Sequence, residues 1–213
     1  SPSTPPLLQF GIGGAGGIPT GDFAENIGAA GGVSMHVGFG VGQSPFMIGT
    51  EFTYLEYGSE SRKVPFSVAI PDALVTVNTD NQMVLLPGVA RVQPNKGRWR
   101  PYAEVVFGFD YIFTQTSVDL EGDLTDTSTD TVANTTNFSD FALSYGGGAG
   151  VMVQIRSGSW SPRLDMSLRY LPGGEADYLR KGAIRRENGQ AFLTVSFSRT
   201  DTVVFYVGIA LGR

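Results

Sequence analysis

The sequence contains no cysteine, a single histidine and only 16% charged residues. Without cysteine there is no disulfide framework, no thiolate metal site and no lipoprotein anchor. No stretch approaches the ~18–20 consecutive apolar residues that a membrane-spanning helix requires. The net charge of −5 argues against a nucleic-acid partner. The residues from Ser1 lack the charged and apolar regions of a signal peptide, so the numbering is read as starting at a processed N-terminus. At 213 residues the chain suits one domain, expected over residues 7–213 behind a short tail at 1–6.

What is abundant is glycine, 29 residues, roughly twice its usual share, and it falls inside alternating segments as well as in turns. Gly146, Gly148 and Gly150 occupy every second position, as do Gly38 and Gly40. From Tyr102 to Phe113 the chain alternates with a period of two. Ala103, Val105, Phe107, Phe109, Tyr111 and Phe113 form one face; Tyr102, Glu104, Gly108 and Asp110 fall on the other, with Val106 and Ile112 as apolar exceptions. A soluble strand hides its bulky apolar face and shows its charges to water. Here the polar faces are too sparse and glycine-rich to make a soluble surface, and the same phase recurs along the chain. That pattern predicts a closed barrel with lipid outside and a polar interior. Inward glycine is then a closure device where the wall curves tightly.

Strands are predicted at Leu7–Ile18, Gly31–Gly42, Phe46–Tyr57, Gln82–Pro94, Arg100–Val118, Phe141–Arg156, Arg163–Tyr170 and Thr202–Gly212. Short connections at Gln43–Pro45, Asn95–Trp99 and Ser157–Pro162 alternate with long ones at Pro19–Ala30, Gly58–Asn81, Asp119–Asp140 and Leu171–Asp201. Short periplasmic turns and longer extracellular loops characterise outer-membrane barrels. The reading is therefore all-β: an eight-stranded antiparallel up-and-down transmembrane β-barrel in the bacterial outer membrane, both termini periplasmic. Trp99 and Trp160, both in short turns, are expected in an interfacial aromatic girdle. Pro87 makes Gln82–Pro94 the weakest strand. Asn188-Gly189 signals a hairpin inside the last long loop. Pro71-Asp72 suggests that strands three and four continue beyond the membrane. The third loop, acidic and rich in Thr and Asn, is expected to be mobile.

Phe10-Gly-Ile-Gly-Gly, Arg100-Pro-Tyr-Ala-Glu with Phe107-Gly-Phe-Asp-Tyr, and the terminal Tyr206-Val-Gly-Ile-Ala-Leu-Gly-Arg resemble the small eight-stranded outer-membrane barrels of the OmpA/OmpX type. The resemblance covers nearly the whole chain. Leu211 and Arg213 stand where that group commonly ends in aromatic residues. The group includes adhesins, protective surface proteins, small channels, lipid-modifying enzymes and accessory subunits, so the resemblance implies a fold and a membrane but not one function.

Glu51, Arg91, Glu104, Asp110, Arg156, Arg163, Asp165 and Arg169 all fall on inward phases. In a barrel this narrow, both signs at close quarters are expected to pair as a salt-bridged plug; a selectivity filter in a narrow pore is the alternative. His36 also faces inward. A lipid-A-modifying barrel enzyme would use it as general base, but nothing in the sequence places a Ser or Asp beside it near the membrane interface, so it is read as a structural lumen residue. Gly11-x-Gly13-x-x-Gly16 lacks the following helix that a dinucleotide site needs. Asp126 and Asp130 lack the glycine and terminal glutamate of a calcium loop. Asn134-Thr-Thr and Asn137-Phe-Ser are read as chance glycosylation patterns. No catalytic residue, cofactor or metal is expected. Arg180, Lys181, Arg185 and Arg186 form a basic cluster suited to lipopolysaccharide phosphates, a host polyanion or a protein partner, or simply to neutralising the acidic third loop. The expected function is that of a non-enzymatic outer-membrane barrel acting through its extracellular loops, as a surface-binding protein or as a subunit of an outer-membrane complex.

Overall fold

A computed structural model describes residues 8–67, 70–94, 97–120, 130–156, 160–187 and 190–212. Ten strands and one short helix follow in order: β1 (Leu8–Pro19), α1 (Asp22–Asn26), β2 (Ala30–Gly40), β3 (Phe46–Ser67), β4 (Ile70–Val92), β5 (Trp99–Leu120), β6 (Asp130–Gln154), β7 (Ser161–Leu171), β8 (Glu175–Glu187), β9 (Gln190–Arg199) and β10 (Thr202–Gly212). Strands β1 to β7 and β10 form a closed antiparallel barrel, sealed where β1 pairs with β10, while β8 and β9 make a separate hairpin. Each of the eight expected barrel strands is present, and the last expected one is β10.

Facing follows the period-two reading and not the reverse phase of a soluble ligand-binding barrel. Phe107 and Phe109 are 61% and 57% exposed, while Glu104, on the opposite face of the same strand, is 4% exposed. Ile12, Ile48, Leu168 and Val207 continue the exposed apolar belt around the wall. Two aromatic bands bound it. Trp99 and Trp160 are exposed at the end carrying the termini and short turns. At the other end Tyr111 stacks on Phe113 at 5.1 Å and meets Phe141 at 4.6 Å. The stretch of β5 from Trp99 to Tyr111, at ~3.3 Å per residue and a tilt of ~40°, spans about 30 Å along the barrel axis, the thickness of a bilayer core.

Several boundaries differ from expectation. Trp99 begins β5 instead of lying in a turn. Pro87 keeps the alternation, buried in phase with Leu85 and with Thr50 Oγ1 donating to its carbonyl at 3.1 Å. The β3–β4 ladder is nevertheless interrupted at Leu86 and Pro87, between Thr50↔Gly88 and Thr53↔Leu85, as the missing donor predicts. Pro71 lies inside β4, because β3 runs to Ser67 and β4 starts at Ile70; the ladder is irregular between Pro65 and Ser67, where proline lacks a donor. The expected loop Asp119–Asp140 is largely strand. β5 and β6 pair from Leu120↔Asp130 downward, since the β-branched Thr131, Val132, Thr135 and Thr136 favour extended pairing over a mobile coil. Residues 121–129, the centre of the acidic loop, lie outside the described residues, as do Asn188 and Gly189, although Glu187↔Gln190 pair on either side.

β3 to β6 have 22, 23, 22 and 25 residues, roughly twice the ~9–11 that a tilted membrane strand needs. They rise past the aromatic band as a four-stranded wall.

Candidate functional site

Halfway along the lumen four charged side chains from four strands join. Arg169 of β7 donates from Nη1 to Glu51 of β3 at 2.5 Å and from Nε to Glu104 of β5 at 2.5 Å. Arg91 of β4 donates to the other oxygen of Glu104, from Nε at 3.0 Å and from Nη2 at 2.9 Å. Arg91 and Glu104 are register partners on adjacent strands, whereas Arg169 is two strands away from Glu104. The strand between them carries Gly148, whose partners are Glu104 on one side and Arg169 on the other. A Cβ there would lie 2.4 Å from the Leu168 carbonyl oxygen and 2.7 Å from Arg169 Cγ. The missing side chain is therefore what lets the guanidinium cross β6. A buried charge left alone is expensive, so this mutual arrangement is the low-energy filling of a narrow polar interior.

Neutral donors extend the layer. Thr53 donates to Glu51 at 2.9 Å and also lies 2.8 Å from Ser34. Tyr102 donates to Asp165 at 2.7 Å, and the Arg91 guanidinium sits 3.9 Å over the Tyr102 ring. His36 Nε2 is 3.7 Å from Asp165, and its ring meets Tyr206 edge-on at 5.7 Å. Gly11, the register partner of His36, leaves the space the imidazole fills. A cavity of about 20 Å³, room for little more than one water molecule, is lined in part by Gln9, His36, Glu51 and Arg91.

Of the eight residues expected to share the charge network, five are near one another: Glu51, Arg91, Glu104, Asp165 and Arg169. Asp110 is buried elsewhere, hydrogen-bonded by Ser144, among apolar neighbours of the other end of the lumen. Arg163 is buried but makes no ion pair among the described residues. Arg156 is exposed past the end of β6, which stops at Gln154, two residues short of the predicted strand, and so does not face inward. Arg100, Tyr102 and Ser34 lie outside the expected charge network. Arg100 and Tyr102 share the inward phase of Glu104, which was the available signal.

The lumen is covered at its long end by an element that period-two reading did not anticipate. β8 packs against β3, β4, β5 and β6. Tyr178 of β8 and Phe23 of α1 are buried and meet edge-to-face at 5.1 Å. Beneath them lie Leu55, Met83, Ile112 and Ala142 from the barrel wall. The hairpin is tied down by Asp177 N donating to Asp140 at 2.8 Å, Gly174 N to Leu143 O at 2.6 Å and Tyr178 Oη against Ser198 Oγ at 2.8 Å. The backbones of Arg180, Lys181, Arg185 and Arg186 belong to β8, with an irregular register between Leu179 and Ile184; the basic side chains lie outside the described residues.

No protein-family model matches the chain, and no curated protein matches it in sequence. Solved structures do. Neisserial surface protein A is 15% identical with a TM-score of 0.49, covering 97% of each chain. Ail, the attachment invasion locus protein of Yersinia pestis, solved in complex with the heparin analogue sucrose octasulfate, is 12% identical with a TM-score of 0.47, covering 96% of each chain. The outer membrane protein OprG from Pseudomonas aeruginosa is 10% identical with a TM-score of 0.50, covering 96% of this chain and 94% of its own. With the closed eight-strand topology, the exposed apolar belt and the charged interior, the chain has the fold of the small eight-stranded outer-membrane β-barrels of the OmpA/OmpX type.

Proposed function

We propose that this protein is a non-enzymatic outer-membrane barrel whose lumen is plugged and whose long-end hairpins do the binding, either of an external ligand or of another outer-membrane protein. The observation that carries this reading is the amount of ordered structure beyond the membrane. Closing the barrel needs neither the extensions of β3 to β6 nor the β8–β9 hairpin. Lipid-facing and lumen-facing residues of the strands are committed to solvation and packing, so recognition falls to the segments outside them. The long end then faces the exterior and both termini face the periplasm. The charge layer around Arg169 and the apolar cover around Tyr178 together support a plug in preference to a pore. His36 is buried in the lumen and not aimed at the lipid face, which supports a structural role over lipid-A chemistry.

The contact region assigned to this role combines Arg180, Lys181, Arg185 and Arg186 with the acidic third loop. The test is gentle detergent extraction from the native membrane followed by native mass spectrometry. A co-purifying protein, lost when residues 175–199 are replaced by a short turn, is the result expected for a complex subunit. Monomer in native spectra, with binding to whole cells lost on the same replacement, is the result expected for surface binding. A monomer whose replaced hairpin changes neither would overturn the proposal.

A further inference from the structure

At the end of the barrel carrying the termini, two arginines stand in the lumen with no ion pair among the described residues. Arg100 of β5 and Arg163 of β7 are 3% and 5% exposed. They flank β6: Arg100 is the register partner of Met152 and Arg163 that of Gln154, so both point into the same mouth. Across β6 their register positions are two residues apart, on the inward phase. Their hydrogen bonds among the described residues are long ones to backbone carbonyls, Arg100 Nε to Gly97 O at 3.3 Å and Arg163 Nη1 to Ser161 O at 3.5 Å. Among the described residues, Arg100 Nη1 and Arg163 Nε are buried without an acceptor. This contrasts with Arg91 and Arg169 deeper in the lumen, each of which meets at least one carboxylate.

Two buried guanidinium groups in one mouth without a counter-charge among the described residues are unfavourable, and a remedy is an anion shared between them. The guanidinium fork matches the spacing of oxygens on a tetrahedral or planar oxyanion. We propose that Arg100 and Arg163 form an oxyanion-binding site at the short-turn mouth of the barrel, with phosphate as the fitting chemistry, whether free or carried on a phospholipid headgroup. Gln9 and Gln93 at the same end also have amide oxygens without partners. Those oxygens are acceptors that an anion does not satisfy, so water solvating the whole mouth is the competing explanation, and the experiment separates the two.

The barrel is purified in dodecyl maltoside, which carries no phosphate. Side-chain Nε resonances of Arg100 and Arg163 are followed as inorganic phosphate is added, with sodium chloride at matched ionic strength as control. Saturable shifts with phosphate and none with chloride support the site and a free anion. No shift with inorganic phosphate, but saturable shifts on adding short-chain phosphatidylglycerol, supports the site with a headgroup as its source. Equal shifts with chloride, or none with either phosphate, overturn the proposal in favour of a hydrated mouth. Arg100→Gln and Arg163→Gln should each weaken the phosphate response about tenfold or more. Arg100→Lys should retain part of it, because the charge remains while the fork is lost. Heat-modified migration on gels confirms that each variant still closes its barrel, so loss of binding is read on folded protein.

Discussion

Arg169 is the residue on which the interior depends, because among the described residues it alone satisfies carboxylates on two separate walls. Replacing it with Ala leaves Glu51 without its cation and Glu104 with only Arg91. Breaking a buried pair by removing one partner costs about 3–5 kcal/mol, so Arg169→Ala should lower the urea unfolding free energy of the detergent-folded barrel by about that amount. Gly148→Val tests the route Arg169 takes. Its Cβ would meet the Leu168 carbonyl oxygen and Arg169 Cγ, whereas a Cβ at Gly14 meets nothing within 4 Å. The expected outcome is a large loss of folded yield for Gly148→Val and little change for Gly14→Ala, scored by heat-modified gel migration. Sequence phase alone placed Glu51, Arg91, Glu104, Asp165 and Arg169 on the inner face. It could not say that Arg169 bridges two strands away, since alternation reports the side of a strand and not the distance across a lumen.

Among the elements, the β8–β9 hairpin and α1 behave as one cover held through the Phe23–Tyr178 contact. An aromatic pair of this geometry contributes about 0.5–1.5 kcal/mol beyond its burial. Phe23→Ala and Tyr178→Ala should therefore each speed proteolysis within β8–β9 while the barrel strands stay protected. The two substitutions together should do less damage than the sum of the two alone. The hairpin was half legible: Asn188-Gly189 marked a turn between two short alternating runs. Its docking was not, because Tyr178 is buried by strands far away in sequence, and α1 is too short to show a helical period. The extensions of β5 and β6 were hidden for a different reason. The Thr-rich composition of residues 130–140 resembles a polar loop until its β-branched content is weighed against its charge.

For the molecule as a whole, the combination of a cross-linked charge layer and an apolar cover predicts negligible ion flow. Planar-bilayer recordings of the purified protein should show no stable single-channel steps. Replacing residues 175–199 with a short turn should still leave the lumen closed, because the Arg169 layer lies below the cover. Well-resolved conductance in the intact protein would show that the interior is a pore. The unequal strand lengths have one more result. Four neighbouring strands rise far above the membrane while β1, β2, β7 and β10 stop near it, with 12, 11, 11 and 11 residues. The rim is thus tall on one side and low on the other, and the molecule has a compass bearing within the plane of the bilayer. A neighbour arriving from the tall side meets a sheet, and one arriving from the low side meets α1 and the hairpin. Any lasting assembly in the membrane must choose between these two approaches.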